Sequence, residues 1–414
     1  MTTTLDDLLH PVDAAALVDL LPARPRLLAL GEPTHGEDTL LHVRNHLFRQ
    51  LVEQQGYRTI AIESDCLRGL LVDDHVTTGR GTLDDVMAHG FSHGFGASPA
   101  NRQLVAWMRA HNEGRPADEQ VRFAGVDGPL EITGAASPRE ALTALDEHLA
   151  AVVDADLLPV TAETLDHLLG ADERWTDPAA MRDPSRSVGR TPEADRLRLV
   201  ADDLVALLDE QTPASIAATS RDAWHRARLH GRTAAGLLLY HHAMAGTSPG
   251  RMARMLGLRD RMMAANLLAL AERGPVLTFA HNAHLQREQS SMRLGEHPVA
   301  WWSAGALVAA HLGGDYAFLA TALGTIRHRG VDDPPPDTVE GLLAALPPDH
   351  GQDHRFLEAR LLEARLVDAR RLAPRVGDVT PRVSPWFGYA PLDPAHLESI
   401  DGLVFVRDAV AGST

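Results

Sequence analysis

Residues 26–64 read RLLALGEPTHGEDTLLHVRNHLFRQLVEQQGYRTIAIES. Two apolar runs, RLLALG and RTIAIES, enclose a segment carrying Leu40, Val43, Leu47 and Leu51 at helical spacing and ending at Gly56. That order is a β-α-β unit. The nearly unbroken apolarity of the runs predicts strands buried on both faces of a sheet. VRFAGVD (121–127) and VLTFAHN (276–282) repeat the signal, and YAFLATALG (316–324) and GLVFVRD (402–408) return it near the C-terminus. The expected fold class is α/β, with a central, largely parallel sheet covered by helices.

Between the third and fourth runs the period changes to helical. PREALTALDEHLAAVV, TAETLDHLLG, EADRLRLVADDLVALLDEQ, RDAWHRARLHGRTAAGLLLYHHAM and LRDRMMAANLLALAERG are successive helix candidates. The expected division is therefore an N-terminal part of the core at 1–136, a helical insert at 137–273 and a C-terminal part of the core at 274–414. The insert is expected to form one wall of an active-site cleft. Within it, TDPAAMRDPSRSVGRTP (176–192) reads as a mobile loop from its Pro, Ser, Asp and Gly content. A further helix is expected over DHRFLEARLLEARLVDARRL (353–372).

Composition narrows the chemistry. All 39 basic residues are arginines, so Schiff-base, P-loop and Ser-Lys mechanisms are excluded. Cys66 is the only cysteine; it has no internal disulfide partner and no paired-cysteine metal spacing. A formal charge of −17 disfavours nucleic acid or an anionic membrane as partner and suits a neutral or cationic small molecule. The acidic, amphipathic first residues do not read as a secretory signal, and no apolar run approaches ~20 residues. The expectation is a cytoplasmic protein acting on a small-molecule substrate, with its oligomeric state left open.

The early strands each end in residues suited to chemistry: Glu32 and His35, Glu63, Asp127, then His281 and His284. Open α/β sheets bind ligands outside the carboxyl ends of their strands, so the fold gathers these distant residues into one pocket. A carboxylate three residues from an imidazole can orient it and raise its pKa, leaving a group able to deprotonate water. The structural alternative is an N-terminal cap, with Thr34 as capping candidate in the first turn and Asp65 in the turn after Glu63. Taken alone, His281 and His284 read first as surface or capping histidines. Arg44, nine residues beyond His35, either turns inward to polarise a carbonyl or stays solvated. Asp127, Asp260 and Asn266 are candidates to contact substrate, against ordinary roles in turns and in satisfying buried backbone.

Taken together, GEPTHG, the helix bearing Arg44, AIES with Glu63, FAGVD, LRDRMMAANL and FAHNAH resemble, in this order and over about residues 28–330, the erythromycin esterase family. The resemblance implies hydrolysis of the lactone ester of a macrolide by water, without a side-chain nucleophile. It carries over Glu32, His35, Arg44, Glu63, His281 and His284 as site residues. His35 would be the general base, Glu32 and Glu63 would position it and the water, and Arg44, His281 and His284 would stabilise the oxyanion or orient the ring. No cofactor is expected, and an acidic field would welcome a cationic amino sugar.

Four rival readings remain. GTSPG at 246–250 fits a serine-hydrolase formula, but a helical segment leads into it and Pro249 removes the amide needed for an oxyanion hole. A divalent metal held by Glu32, His35, His281 and His284 would make a metal-dependent hydrolase. The same base could serve a non-hydrolytic tailoring step on a biosynthetic intermediate. An immunity protein would bind a natural product without turning it over and would need the cleft but not His35.

Overall fold

The computed structural model describes residues 5–131, 134–346, 364–383 and 388–410. In chain order its strands are β1 (Leu9–His10), β2 (Leu27–Glu32), β3 (Thr59–Asp65), β4 (Arg122–Asp127), β5 (Leu130–Glu131), β6 (Gly134–Ala135), β7 (Val276–His281), β8 (Gln289–Leu294), β9 (His297–Trp302), β10 (Tyr316–Thr325), β11 (Ala364–Val367) and β12 (Gly402–Asp408). One sheet runs β1-β11-β12-β10-β2-β7-β3-β4. From β12 to β4 neighbouring strands pair parallel, while β11 and β1 add antiparallel at one edge. All six apolar runs singled out in the sequence are strands of this sheet, and the fold is α/β.

Both faces are dry, because successive side chains of a strand point to opposite sides. Leu28, Leu30, Ile60, Ile62, Leu277 and Phe279 pack on one face beneath the helix Asp38–Gln55, with its Leu40, Val43, Leu47 and Leu51. Leu27, Ala29, Ala61, Val276, Ala280 and Phe318 pack on the other. Gly56 ends that helix with φ 67°, a left-handed conformation favouring glycine.

The opening β-α-β unit differs from a simple pair in one respect. β2 and β3 do not touch, because β7 lies between them, with Leu27 opposite Val276 on one side and Thr59 opposite Val276 on the other. Gly31 makes room for this arrangement: a Cβ there would fall 2.1 Å from Asn282 Oδ1. Asn282 in turn clamps β10, its Nδ2 donating to the Thr321 carbonyl and its Oδ1 accepting from the Thr321 amide. Gly31→Ala is expected to destabilise the protein by about 1–3 kcal/mol through overpacking. A urea midpoint indistinguishable from wild type would contradict it.

Helices fill the interval between β4 and β7 from Arg139 to Ala271. The segment 176–192 is more structured than its composition indicated. It forms short 3-10 turns at Pro178–Met181 and Pro184–Arg186, capped by Asp177 and Asp183. Arg251 donates to the Ala180 and Met181 carbonyls, tying this segment to the helix Arg251–Ala271. The expected helix 353–372 differs too: residues 364–367 are strand β11, 369–372 a single helical turn, and 353–363 lie outside the described residues. Alternating Ala364, Leu366 burial against β12 overrides the helical period there. Among the described residues no helix is long and apolar enough to cross a membrane.

Candidate active site

The sheet order places β2, β7, β3 and β4 side by side, so their carboxyl ends present Glu32, His281, Glu63 and Asp127 along one rim. Glu32 pairs in register with His281. After Glu32 the chain turns through Pro33–Gly36, and Gly36, at φ 79°, lets it swing into the helix Asp38–Gln55. This turn brings His35 back over the rim. Thr34 does not cap the helix: it is fully buried, the N-cap position is Glu37, and no side chain caps there. Asp65 does cap its turn, accepting from the Leu67 and Arg68 amides.

His35 sits between two carboxylates. Its Nδ1 lies 2.6 Å from Glu32 Oε1 and its Nε2 3.7 Å from Glu63 Oε1. Burial alone would lower its pKa, but the Glu63 charge and the Glu32 hydrogen bond override this and raise it from 6.5 to about 9. Burial raises the Glu32 carboxyl, with the bond to His35 pulling the other way. Glu63 is held well below the usual carboxylate range: burial opposes ionisation, but His284, His35, Arg259 and the His281 amide together prevail. That amide donates to Glu63 Oε2 at 2.8 Å.

The two later histidines act differently. His281 accepts from the Ala283 amide at Nδ1 and faces the Pro33 carbonyl with Nε2 at 3.2 Å, which fixes it as a neutral ring donating from Nε2. Burial, aided by the charge of His35, lowers it to about 3. It thus caps the following turn, as the structural alternative held, and also packs against His35 with ring centres 5.2 Å apart. His284 is bonded through Nδ1 to Asp260 at 2.6 Å and lies 3.4 Å from Glu63 through Nε2. Burial works against its charge, but Asp260 and Glu63 raise its pKa overall. Trp301 Nε1 and the Ala304 amide both donate to the other oxygen of Asp260, so β9 and the start of the helix Ala304–Leu312 fix the carboxylate that fixes His284.

A cavity of about 480 Å³ opens beside this array, lined by Glu32, His35, Arg44, Glu63, Phe95, Asn101, Phe279 and His328 among others. Arg44 turns inward and is fully buried. Its Nη2 donates to Asn45 and Asn101 and its guanidinium lies over the Phe279 ring, while among the described residues neither Nη1 nor the buried Glu32 Oε2 has a hydrogen-bond partner. Burial lowers Arg44 to about 10, still cationic at neutral pH.

His281, His284, Asp127, Asp260 and Asn266 do not line this cavity. Asp127 is bound by Arg259 and His93, Asp260 holds His284, and Asn266 donates to the Val126 carbonyl. The expected substrate contacts of Asp127, Asp260 and Asn266 are replaced here by structural bonds, because each is buried behind the rim. The segment 137–273 likewise reaches the site from behind, through Arg259 and Asp260. The walls come instead from residues 93–101 and from His328 and Arg329, which pair with the buried Glu37.

The four-ligand metal alternative fits poorly. Both ring nitrogens of His281 are engaged with the backbone and His35 Nδ1 with Glu32, and among the described residues no three His, Cys, Asp or Glu side chains are placed to share a metal ion.

Two features were not singled out in the sequence. Arg259 donates to both oxygens of Asp127 and, at 2.9 Å, to Glu63. Its signal was arithmetic: three acids at neighbouring strand ends demand a cation. His93 lies within GFSHGFG, at φ 56° beside Gly94 at 74°, an uncommon conformation for a side chain other than glycine. Its ring nitrogens meet Asp127 and Glu131, and Phe95 stands between the His93 and His35 rings at 5.6 and 5.4 Å. The result is an alternating row of charges: Glu32, His35, Glu63, Arg259, Asp127, His93, Glu131.

The sequence-family profile described as Erythromycin esterase matches residues 52–409. Erythromycin esterase type II of Escherichia coli is 25% identical over 270 residues, covering 63% of this chain and 61% of that protein, so the match spans less than two thirds of the relative. A crystal structure of a Bacillus cereus protein superposes with a TM-score of 0.69 at 18% identity, covering 98% of this chain and 92% of that one. A histidine-to-asparagine mutant of the erythromycin esterase EreC, in its open conformation, gives 0.62 at 17%, covering 96% and 93%. At such identities the structural likeness bears on the fold.

Proposed function

This chain belongs to the erythromycin esterase family, and from that premise we propose that it is a hydrolase that opens an ester or lactone of a macrolide or related natural product with water. The observation that carries the reading is His35, held by Glu32 and facing Glu63 at the edge of a cavity that Arg44 also lines.

His35 Nε2 takes a proton from water as the oxygen attacks the carbonyl carbon. Glu32 orients the ring through Nδ1 and balances the imidazolium that forms. Arg44 meets the developing oxyanion, a charge that a desolvated guanidinium stabilises more in the transition state than in the ground state. The protonated His35 then returns its proton to the departing alkoxide, so water is divided between the acid and alcohol products. His281, His284 and Arg259 are positioning residues, since they touch Glu63 and the His35 ring rather than the cavity. No seryl or cysteinyl intermediate is needed.

Incubating the purified protein with a panel of macrolides and other lactones tests this by mass spectrometry, the expected product gaining one water. A mass-neutral conversion would indicate isomerisation, and binding without conversion would indicate sequestration.

The pH profile provides a separate prediction. Because a base must be deprotonated and His35 titrates at about 9, kcat/KM is expected to rise about tenfold per pH unit from neutral toward 9 and then level. Stability runs the other way: a raised histidine pKa contributes fully below about 6.5 and is lost as pH climbs through 9. A profile falling through 9 would instead make the His35 cation the active form, a proton donor rather than a base.

A further inference from the structure

A second cavity, of about 270 Å³, lies in the helical segment away from the rim. Its walls are the helices Pro192–Glu210 and Arg251–Ala271, contributing Val205, Leu208 and Met262, and its floor is the helix Arg221–Met244 at Gly231 and Ala235. Arg228, Arg232 and Arg261 also line it.

These cations are unevenly balanced. Arg228 is satisfied, with Nη1 2.9 Å from Glu272 and its guanidinium over the Trp224 ring. Arg232 bonds through Nε to the Asn266 amide oxygen at 3.2 Å, and neither it nor Arg261 has a carboxylate partner among the described residues. Burial lowers Arg232 to about 10, so it remains a cation at neutral pH. Cys66, the nearby thiol, supplies no charge, since burial pushes it up to about 12. Arg232 is half-buried and Arg261 exposed, so both guanidinium groups can face a ligand in the groove, where two cations that no carboxylate bridges among the described residues suit an anion.

We infer that this groove binds a small organic carboxylate, its anionic head between Arg232 and Arg261 and its hydrocarbon part against Val205, Leu208 and Met262. The apolar walls favour an amphipathic monoanion over inorganic phosphate, which would leave them facing water or a second charge. Asp209, exposed at the mouth of this groove, opposes the anion and limits its affinity. The site is independent of the rim reaction, although Asn266 links it to β4 by donating to the Val126 carbonyl, one residue before Asp127.

Isothermal titration of the full chain with sodium octanoate and with sodium phosphate tests the inference. Wild type is expected to bind one octanoate, Arg232→Met to bind it at least tenfold more weakly, and Asp209→Asn to bind it more tightly. The ligand-free Tm of Arg232→Met should stay close to that of wild type, since the half-buried side chain makes one long hydrogen bond to Asn266; this separates lost binding from lost folding. His35→Asn should bind octanoate unchanged. Absence of octanoate binding, undiminished binding by Arg232→Met, loss of binding in His35→Asn, or phosphate binding as tight as octanoate would each overturn the assignment.

Discussion

Replacing His35 by asparagine is expected to lower kcat/KM for the hydrolysed ester by about 10²–10⁴-fold, the usual contribution of a positioned proton-transfer group. Asparagine retains a polar side chain near Glu32 but has no basic nitrogen to take a proton from water. The fold should tolerate the change, because 38% of the His35 side chain is exposed and its neighbours belong to a rim already held from behind. The informative measurement is therefore activity set beside thermal unfolding. Activity within a few-fold of wild type, with an intact fold, would remove His35 from the reaction. Loss of turnover with substrate affinity preserved would agree with a base. Equal protection against a toxic macrolide by the variant would favour sequestration instead.

Arg259→Met should have its largest effect on the molecule itself. Arg259 is the cation shared by Glu63 and Asp127, which are 2% and 0% exposed. Removing it leaves two buried carboxylates facing each other with only the surrounding histidines to compensate. Breaking such a buried pair by deleting one partner costs about 3–5 kcal/mol. Urea unfolding should show a loss on that scale, deepest at neutral pH and smaller in acid, where Glu63 and Asp127 can neutralise by protonation. Arg259→Lys should recover only part of it, because an ammonium cannot fork across Asp127 while reaching Glu63. Unchanged stability in Arg259→Met would mean that the row of alternating charges is not what holds the rim together.

The fold was legible where burial and local pattern agree. Each of the six long strands is an apolar run bounded by turn residues, and Gly56 stops its helix where the sequence places the stop. Legibility failed where tertiary pairing overrides local period. β1 has two residues and no pattern to read, and Ala364–Val367 carries a helical spacing but is held as a strand by pairing with β12. In the site, the strand-end rule gathered Glu32, Glu63, Asp127 and His281, because parallel topology alone determines where such residues point. Arg259 escaped because its function depends on a helix laid across strand ends more than 130 residues earlier, and helix period reports a buried face without naming what it touches. His93 escaped because a Gly-flanked loop has no period at all.

The position of β7 has a consequence for the ribosome-bound chain. Strands β2 and β3 emerge early, yet the slot between them stays vacant until a segment more than 200 residues later has been made. Until then both present unpaired backbone along an inner edge, the condition under which nascent sheets join wrong partners. Threading Val276–His281 into that gap completes the hydrogen-bonded ladder and, in the same movement, delivers the His281 amide to Glu63. Maturation of the sheet and arming of the rim are thus a single late event, and a prematurely terminated polypeptide ending before β7 would lack both.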